Sequence, residues 1–531
     1  MDFNQSMYNY MINRSSYLSD KNKMISFYGR DIKRKTFIDE VEKISSFLQH
    51  LGVEKGDNVV ICLGNIPNAI ISFYAVNKIG AIANLLHPLV KNETLQKINN
   101  EMKPKCFIMF DEFYNNYPIF KDIDTPVILC SALDYLLKPF VPFYALWTRK
   151  YKKGIKYSNK LIKYSSIKKC DGKSVEVNGD DVAIYMHSSG TTGESKTSVL
   201  TNEAYNHVAD NLINAAYGGV QTTDKQGMLM ALPIFHTFGL GVCVHTSLCF
   251  GTQSILVPKF NPTYVALLMH IKPVSIIPCV PNMLRKLSKN ILFKGKCLNK
   301  IVDVFCGGDK LPDDVKQNFE NRCKKYGSNL KIAEGYGLTE CGVCLINLQH
   351  SYKEGSIGKS LPGSKFIVLD ENKNRLKVNE IGNLYISTNS MMKGYFKENN
   401  DVFTYIEGVK YFNTGDMGYM DKDNNVFFVD REKRLIKISG NNVFPQEIEN
   451  KVNKIDKVNI SCAVCFYEQG KPQIRLYVEL KAGEVLTQEL KNEILNKING
   501  SELKYSTPKE IVKIDKMPLN QIGKVDFKKL M

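Results

Sequence analysis

The stretch "HSSGTTGESKTS", His187 to Ser198, is a loop rich in glycine and hydroxyls that closes on Lys196-Thr197, and its reading decides the fold. One architecture for such a loop is the P-loop, G-x-x-x-x-G-K-[ST], whose glycines let the backbone turn its N–H groups inward and which runs straight into a helix N-terminus. Gly190, Lys196 and Thr197 have that spacing, but Ser195 stands where the second glycine belongs. The flanks disagree further. "TSVLTN" follows, β-branched and apolar, which predicts a strand. Thr201 or Asn202 then caps a helix over "EAYNHVADNLINAA", with Ala204, Val208 and Leu212 on one face. Upstream, Asp181–Met186 ("DVAIYM") predicts another strand. The loop therefore joins two strands, and the P-loop architecture is rejected. A plain polar turn remains as the alternative, and the rest of the chain decides against it.

Outward from the loop, residues 36–86 follow βαβ logic. "TFIDEVEKISSFLQHLG" is helical, with Thr36 and Asp39 at capping-box spacing and Gly52 as its stop; "DNVVICLG" is a buried strand, "NIPNAIISFYAVNKIG" a helix ended by Gly80, and "AIANLL" another strand. Strands and helices alternate again from about 226 to 345, through "VSIIP" and "IVDVFCGG". From 356 to 430 short strands and turns predict a small β-barrel-like part, and the last hundred residues a small α+β unit. The fold class expected is α/β with a β-barrel subdomain: a large N-terminal domain (1–431) of two mostly parallel sheets, and a small C-terminal domain (432–531).

Length and composition agree with several soluble globular units: 531 residues, 44% apolar and 24% charged. No apolar core follows the first Met, so no export signal is expected, and the fourteen cysteines, scattered without framework spacing, are expected to be reduced. Cys341/Cys344 and Cys462/Cys465 form two C-x-x-C pairs, but "CAVC" alternates like a strand and points its thiols apart. The run between Lys225 and Lys259, free of Asp, Glu, Lys and Arg, is broken by Pro233, His236, Gly239, Gly241 and His245, which favours a buried helix and core strand over a membrane span. A net charge of +17 spread over dispersed lysines excludes no partner by itself, yet no nucleic-acid-binding module accompanies it. Residues 138–169 are different. They hold no acid, begin with an aromatic run containing the only tryptophan, Trp147, and turn lysine-rich. That order suits a peripheral anchor on anionic lipid; packing on the protein's own surface is the competing reading. The expected location is cytoplasmic, with that segment at the inner membrane face.

Eight motifs stand in order: "SSGTTGESK", "LPIFHTFGLG", "CGGDKL", "EGYGLTE", "SIGKSLPG", "YFNTGDMGY", "DREKRLIKISGNNVFPQEIE" and "NQIGKVD". Over nearly the whole chain this resembles the adenylate-forming (AMP-binding) superfamily of acyl-CoA synthetases, non-ribosomal adenylation domains and luciferases. The resemblance implies ATP, Mg²⁺ and CoA. A carboxylate attacks the α-phosphorus of ATP, pyrophosphate leaves, and a thiol then takes the acyl group. Because a carboxylate is already ionised, such chemistry needs phosphate charge neutralised and reactants aligned rather than a general base.

By this resemblance Ser188, Ser189, Gly190, Thr191, Thr192, Gly193 and Lys196 hold the triphosphate, although the family usually has Pro where Ser195 stands. Gly308, Asp309 and Lys310 flank the adenine, Tyr336 and Gly337 belong to its face, and Thr339 meets the α-phosphate. Glu340 and Thr191 hold Mg²⁺, a hard cation that takes oxygen ligands. Asp416 and Arg431 hold the ribose hydroxyls. Lys524 bridges carboxylate and α-phosphate during adenylation. Lys437 lies on the other face of the small domain, used for thioester formation, and Gly440 admits the pantetheine arm; Lys433 is the hinge about which the mobile C-terminal domain turns. His236 lies between acyl pocket and thiol tunnel as a gate. The pocket is expected around Phe238–Gly241, Gly307 and Gly335–Leu338, with no acid at the start of "LPIFH" to receive an amine. The expectation is a stand-alone acid–CoA ligase for a fatty or aryl acid; the alternative is a ligase loading a carrier-protein thiol.

Overall fold

A computed structural model of the chain describes residues 2–188, 196–398, 402–438, 441–499, 506–519 and 525–531. The strands flanking the loop are Val182–Ser188 and Lys196–Thr201, paired antiparallel with His187 opposite Thr197 and Ser188 opposite Lys196. Thr201 caps the helix Asn202–Tyr217, its hydroxyl accepting from the Ala204 N–H. Asn202 does another job: it is buried, its Oδ1 accepts from the Met7 N–H and the Asn77 amide, and its Nδ2 donates to the Asn178 carbonyl.

These two strands belong to an eight-stranded sheet. Parallel neighbours run from Val182–Ser188 through Ile82–Leu85, Asn58–Cys62, Cys106–Phe110 and Val127–Cys130 to Leu161–Lys163. At the opposite edge the two-residue strand Gly394–Tyr395 pairs with Lys196–Thr201. Asn58–Cys62 is buried throughout, and the helix Pro67–Lys78 is buried from Pro67 to Asn77, which explains its apolar character all round. Gly52 and Gly80 sit at positive φ just past their helices, as read. The capping box does not form. The helix is Arg34–His50, Thr36 lies inside its first turn, and no side chain caps it. The chain enters directly from the strand Arg30–Lys33, and two of the first-turn N–H groups, those of Arg34 and Lys35, are taken by the Asn22 and Asp20 carbonyls.

The second sheet has nine strands. Ala333–Leu338, Asp303–Gly307, Val274–Cys279, Gly227–Met230, Gln253–Leu256 and Lys23–Phe27 are parallel neighbours, with antiparallel strands at both ends. One apolar core is shared by both sheets. Between Lys225 and Lys259 lie a strand, the π-helix Phe238–Thr246, a short helix and a strand, all packed in that core, and among the described residues no helix is long and apolar enough to cross a membrane. The region read as barrel-like is a five-stranded antiparallel sheet built on the long strand Val409–Met420. Beyond it, Ile436 to Ile498 form a separate core under the sheet Val458–Glu468, Lys471–Leu480 and Glu510–Lys513. The chain thus has a large N-terminal domain and a smaller C-terminal one. All fourteen cysteines are free thiols, and Cys462 and Cys465 lie on the strand Val458–Glu468.

Candidate active site

A cavity of about 1430 Å³ opens at the end of the loop-flanking strands. Ser188, Lys196, His236, Gly308, Asp309 and Lys310 line it, together with Phe238 and Gly239. Asn459, Ile460, Glu479, Lys516, Met517 and Leu519 of the C-terminal unit close its other side. Strand polarity explains the convergence. Parallel strands end at the same edge of a sheet, so the turns after Gly227–Met230 and Asp303–Gly307 of the nine-stranded sheet lie at one edge, and the end of Val182–Ser188 in the other sheet lines the same cavity. Ser189, Gly190, Thr191, Thr192, Gly193, Gly440 and Lys524 lie outside the described residues.

Lys196 is tied into the wall. Its ammonium pairs with Glu398 at 2.6 Å and stands 4.5 Å from the centre of the Tyr395 ring. The Tyr395 hydroxyl donates to Glu340 Oε1 at 2.8 Å, so one tyrosine joins the loop lysine to the "EGYGLTE" carboxylate. Among the described residues Glu340 Oε2 carries no protein hydrogen bond, which leaves a hard oxygen donor suited to a divalent cation. Thr339, half-buried, follows the strand Ala333–Leu338.

Tyr336, Asp416 and Arg431 form a second cluster. The Tyr336 hydroxyl donates to Asp416 Oδ2 at 2.5 Å, and Arg431 Nε stands 2.9 Å from Oδ1. The cause is register: Asp416 lies opposite Arg431 across the sheet. Asp416 has no exposure, while Arg431 is 38% exposed. Burial, then the Asp416 charge, raises the Tyr336 pKa, so the phenol stays a donor. Tyr336, Asp416 and Arg431 are not among the residues that line the cavity; a carboxylate, with about four lone-pair sites, is an acceptor of the kind that a diol needs. Gly337 has a local reason to be glycine: a Cβ there would stand 2.2 Å from the Gly342 carbonyl oxygen. Lys437 lies apart from the cavity, exposed and paired with Glu371 at 2.7 Å.

Phe238 lies against Gly307, where an added Cβ would meet its ring at 3.3 Å and the Gly335 carbonyl oxygen at 2.9 Å. Of the expected pocket segments, Phe238 and Gly239 line the cavity; Leu240 and Gly241 do not, Gly241 facing Tyr205 and Val208 instead, and neither do Gly307, which lies against the Phe238 ring, and Gly335–Leu338. His236 is half-buried with its ring against Phe235.

Sequence reasoning missed several lining groups. His187 is held between Asn84 Oδ1 (2.6 Å from Nε2) and Thr197 Oγ1 (2.9 Å from Nδ1), and burial lowers its pKa to about 4. His87 is also pulled down by burial, and burial lowers Lys310. Lys310 was an expected residue and His187 was visible as the residue before the loop; nothing local marked the lining residues His87, Glu398 and Lys516, or Tyr395, which holds Glu340.

Residues 19–396 match the family described as AMP-binding enzyme. Among curated relatives, the long-chain-fatty-acid–CoA ligase of Bacillus subtilis (strain 168) is 27% identical over 99% of this chain and 94% of its own. The 4-coumarate–CoA ligase-like 2 of Arabidopsis thaliana is 27% identical over 91% and 83%. Among solved structures, a benzoate CoA ligase from Burkholderia xenovorans LB400 superposes with a TM-score of 0.82 at 17% identity, covering 99% of both chains. ATP-bound MatB from Rhodopseudomonas palustris gives 0.80 at 21% identity, covering 98% of both. The family match extends over more than two thirds of the residues and includes the loop, the cavity-lining residues from Leu85 to Phe396 and the Tyr336–Glu340 motif: the chain belongs to the AMP-binding enzyme family.

Proposed function

We propose that the protein is an ATP-dependent, AMP-forming acid–CoA ligase that activates a fatty or aryl carboxylic acid. The observation that carries this reading is the shared cavity, in which Ser188, Lys196, His236 and Gly308–Lys310 of the large domain face Lys516–Leu519 of the small one. Residues 188–193 and Lys196 hold the triphosphate, with Glu398 released from Lys196 when phosphate arrives. Gly308–Lys310, Tyr336 and Gly337 flank the adenine, and the Asp416–Arg431 pair takes the ribose hydroxyls. Thr339 contacts the α-phosphate. Glu340, oriented by Tyr395, and Thr191 hold Mg²⁺, which when bound neutralises phosphate charge. His236 gates the passage between acid and thiol. No residue needs to remove a proton from the acid; alignment and fixed charge lower the barrier.

In this reading residues 432–531 turn about Lys433 between two arrangements. Supporting it, the described arrangement presents the 516–519 side of the small domain to the cavity while Lys437 pairs with Glu371 elsewhere. Lys524 serves adenylation, and Lys437 with Gly440 serves the thiol step. The relatives' names span fatty and aryl acids, so the acid is found by a panel: acid-dependent exchange of pyrophosphate into ATP, then AMP release with CoA compared with a phosphopantetheinylated carrier protein. Lys524→Ala abolishes exchange and spares thioester formation from supplied acyl-adenylate; Lys437→Ala does the reverse. Absence of exchange with every acid refutes the function, and equal loss of both half-reactions in both variants refutes the alternation.

A further inference from the structure

The acid-free segment 138–169 carries an apolar face that the protein leaves in water. Lys138–Phe140 forms a 3₁₀ turn continuous with the helix Val141–Thr148. One side of that helix belongs to the body of the domain. Val141 and Tyr144 pack on the main core, Thr148 is fully buried, and the Tyr144 hydroxyl donates to Glu112 at 2.5 Å. The other side presents Phe140 (53% exposed), Phe143 (76%), Leu146 (72%) and Trp147 (58%). Single exposed apolar residues are ordinary, but four large ones on one short stretch form a patch of the kind that marks an interface.

The charges around the patch indicate its partner. Lys152 pairs with Asp111, Lys160 with Asp124 and Lys169 with Glu42. Lys138, Arg149, Lys150, Lys153 and Lys156 have no carboxylate partner among the described residues, and no acid interrupts residues 138–169. A second copy of this face would bring like charges together. A surface apolar at shallow depth and anionic at its boundary satisfies both halves, with aromatic rings at headgroup level and ammonium groups on phosphate.

We propose that this face docks the protein peripherally on an anionic lipid bilayer, with Phe143, Leu146 and Trp147 entering the headgroup–acyl boundary and Arg149, Lys150, Lys153 and Lys156 meeting lipid phosphates. The proposal is independent of the catalytic reading, since none of these residues lines the active-site cavity.

Trp147 is the only tryptophan in the chain, so its fluorescence reports this face alone. The full-length protein is titrated with phosphatidylcholine vesicles, with and without about a third phosphatidylglycerol. The expected result is a blue shift, quenching by brominated acyl chains, and co-sedimentation at least about tenfold stronger with the anionic vesicles and weakened by salt. Phe143→Glu/Leu146→Glu, which keeps the tryptophan, weakens binding at least about tenfold. Lys150→Glu/Lys153→Glu removes the preference for anionic lipid, at about fivefold or more per charge. Both variants keep the wild-type melting temperature, because these side chains are exposed. An unshifted spectrum without sedimentation overturns the proposal. So does equal, salt-independent binding to both vesicles, or binding unchanged in the two variants. A face that instead forms a concentration-dependent dimer or captures an acidic protein, while ignoring vesicles, overturns it as well.

Discussion

Replacing Arg434 with Met tests how the two domains are joined. Arg434 is only 11% exposed, and its guanidinium pairs with Glu449, donates to the Ala463 carbonyl at 3.3 Å, stands 3.8 Å from Asp430 Oδ1 and lies over the Phe527 ring. Asp430 lies in the strand Val426–Arg431, the large domain's last, and is 1% exposed; Glu449, 8% exposed, sits in the helix Pro445–Val452. Asp430 also accepts the Gln446 N–H at 2.7 Å, capping from outside a helix that has no side-chain cap of its own. Removing the arginine leaves two buried carboxylates without their cation, a change that costs about 3–5 kcal/mol. In a unit of about a hundred residues each kcal/mol moves the melting temperature by about 4–8 °C, so the small domain should melt at least about 12 °C lower at pH 8.

The pH dependence sharpens the test. Burial raises the pKa of both Asp430 and Glu449, and the Arg434 charge pulls both back down. A carboxyl raised in the folded state holds a proton that the unfolded chain has lost, so its contribution to stability is present at low pH and disappears as pH rises through the folded value. Without Arg434 that window extends upward, and the variant is less damaged at pH 5 than at pH 8. Asp430→Asn/Arg434→Met/Glu449→Gln, which removes all three charges, recovers most of the loss. Calorimetry of the full-length protein reads each quantity. A loss under about 1 kcal/mol, or one independent of pH, refutes the reasoning.

Two further outcomes are expected. Asp416→Asn removes a buried charge that holds Tyr336 and Arg431; with charged hydrogen bonds worth about 1.5–3 kcal/mol, ATP affinity measured by calorimetry should fall about tenfold to a hundredfold, and unchanged affinity places the ribose elsewhere. His187 is half-buried, and desolvation lowers its pKa to about 4, so the folded state binds fewer protons than the unfolded one between about pH 4 and 6.5. Its contribution is lost as pH falls, by about 2 kcal/mol from pH 7 to 5; urea titrations of wild type and His187→Gln should differ by that slope, and parallel slopes exclude it.

What the sequence determined by itself is whatever depends on near neighbours. Loop chemistry and β-branched flanks are local, so the two strands that flank the loop, a cap at Thr201 or Asn202, of which the structure takes Thr201, and the Gly52 and Gly80 stops were all legible. Motif order was legible too, because family membership is a property of residues in succession. The Thr36 capping box failed for a local reason of another kind: backbone carbonyls of Asp20 and Asn22 reached the helix start first. The tertiary structure alone decided which distant segments meet. Strand Lys23–Phe27 joins the second sheet beside Gln253–Leu256 across more than two hundred residues. The two-residue strand Gly394–Tyr395 carries Tyr395 and Glu398 to Lys196 and Glu340. Such pairings depend on sheet edges that exist only once the other strands are in place, and a strand of two residues has no periodicity to betray it. The cavity likewise has walls from two separate cores, the large one of the N-terminal domain and the small cluster that holds Ile460 and Met517, and no single stretch of sequence encodes the space between them.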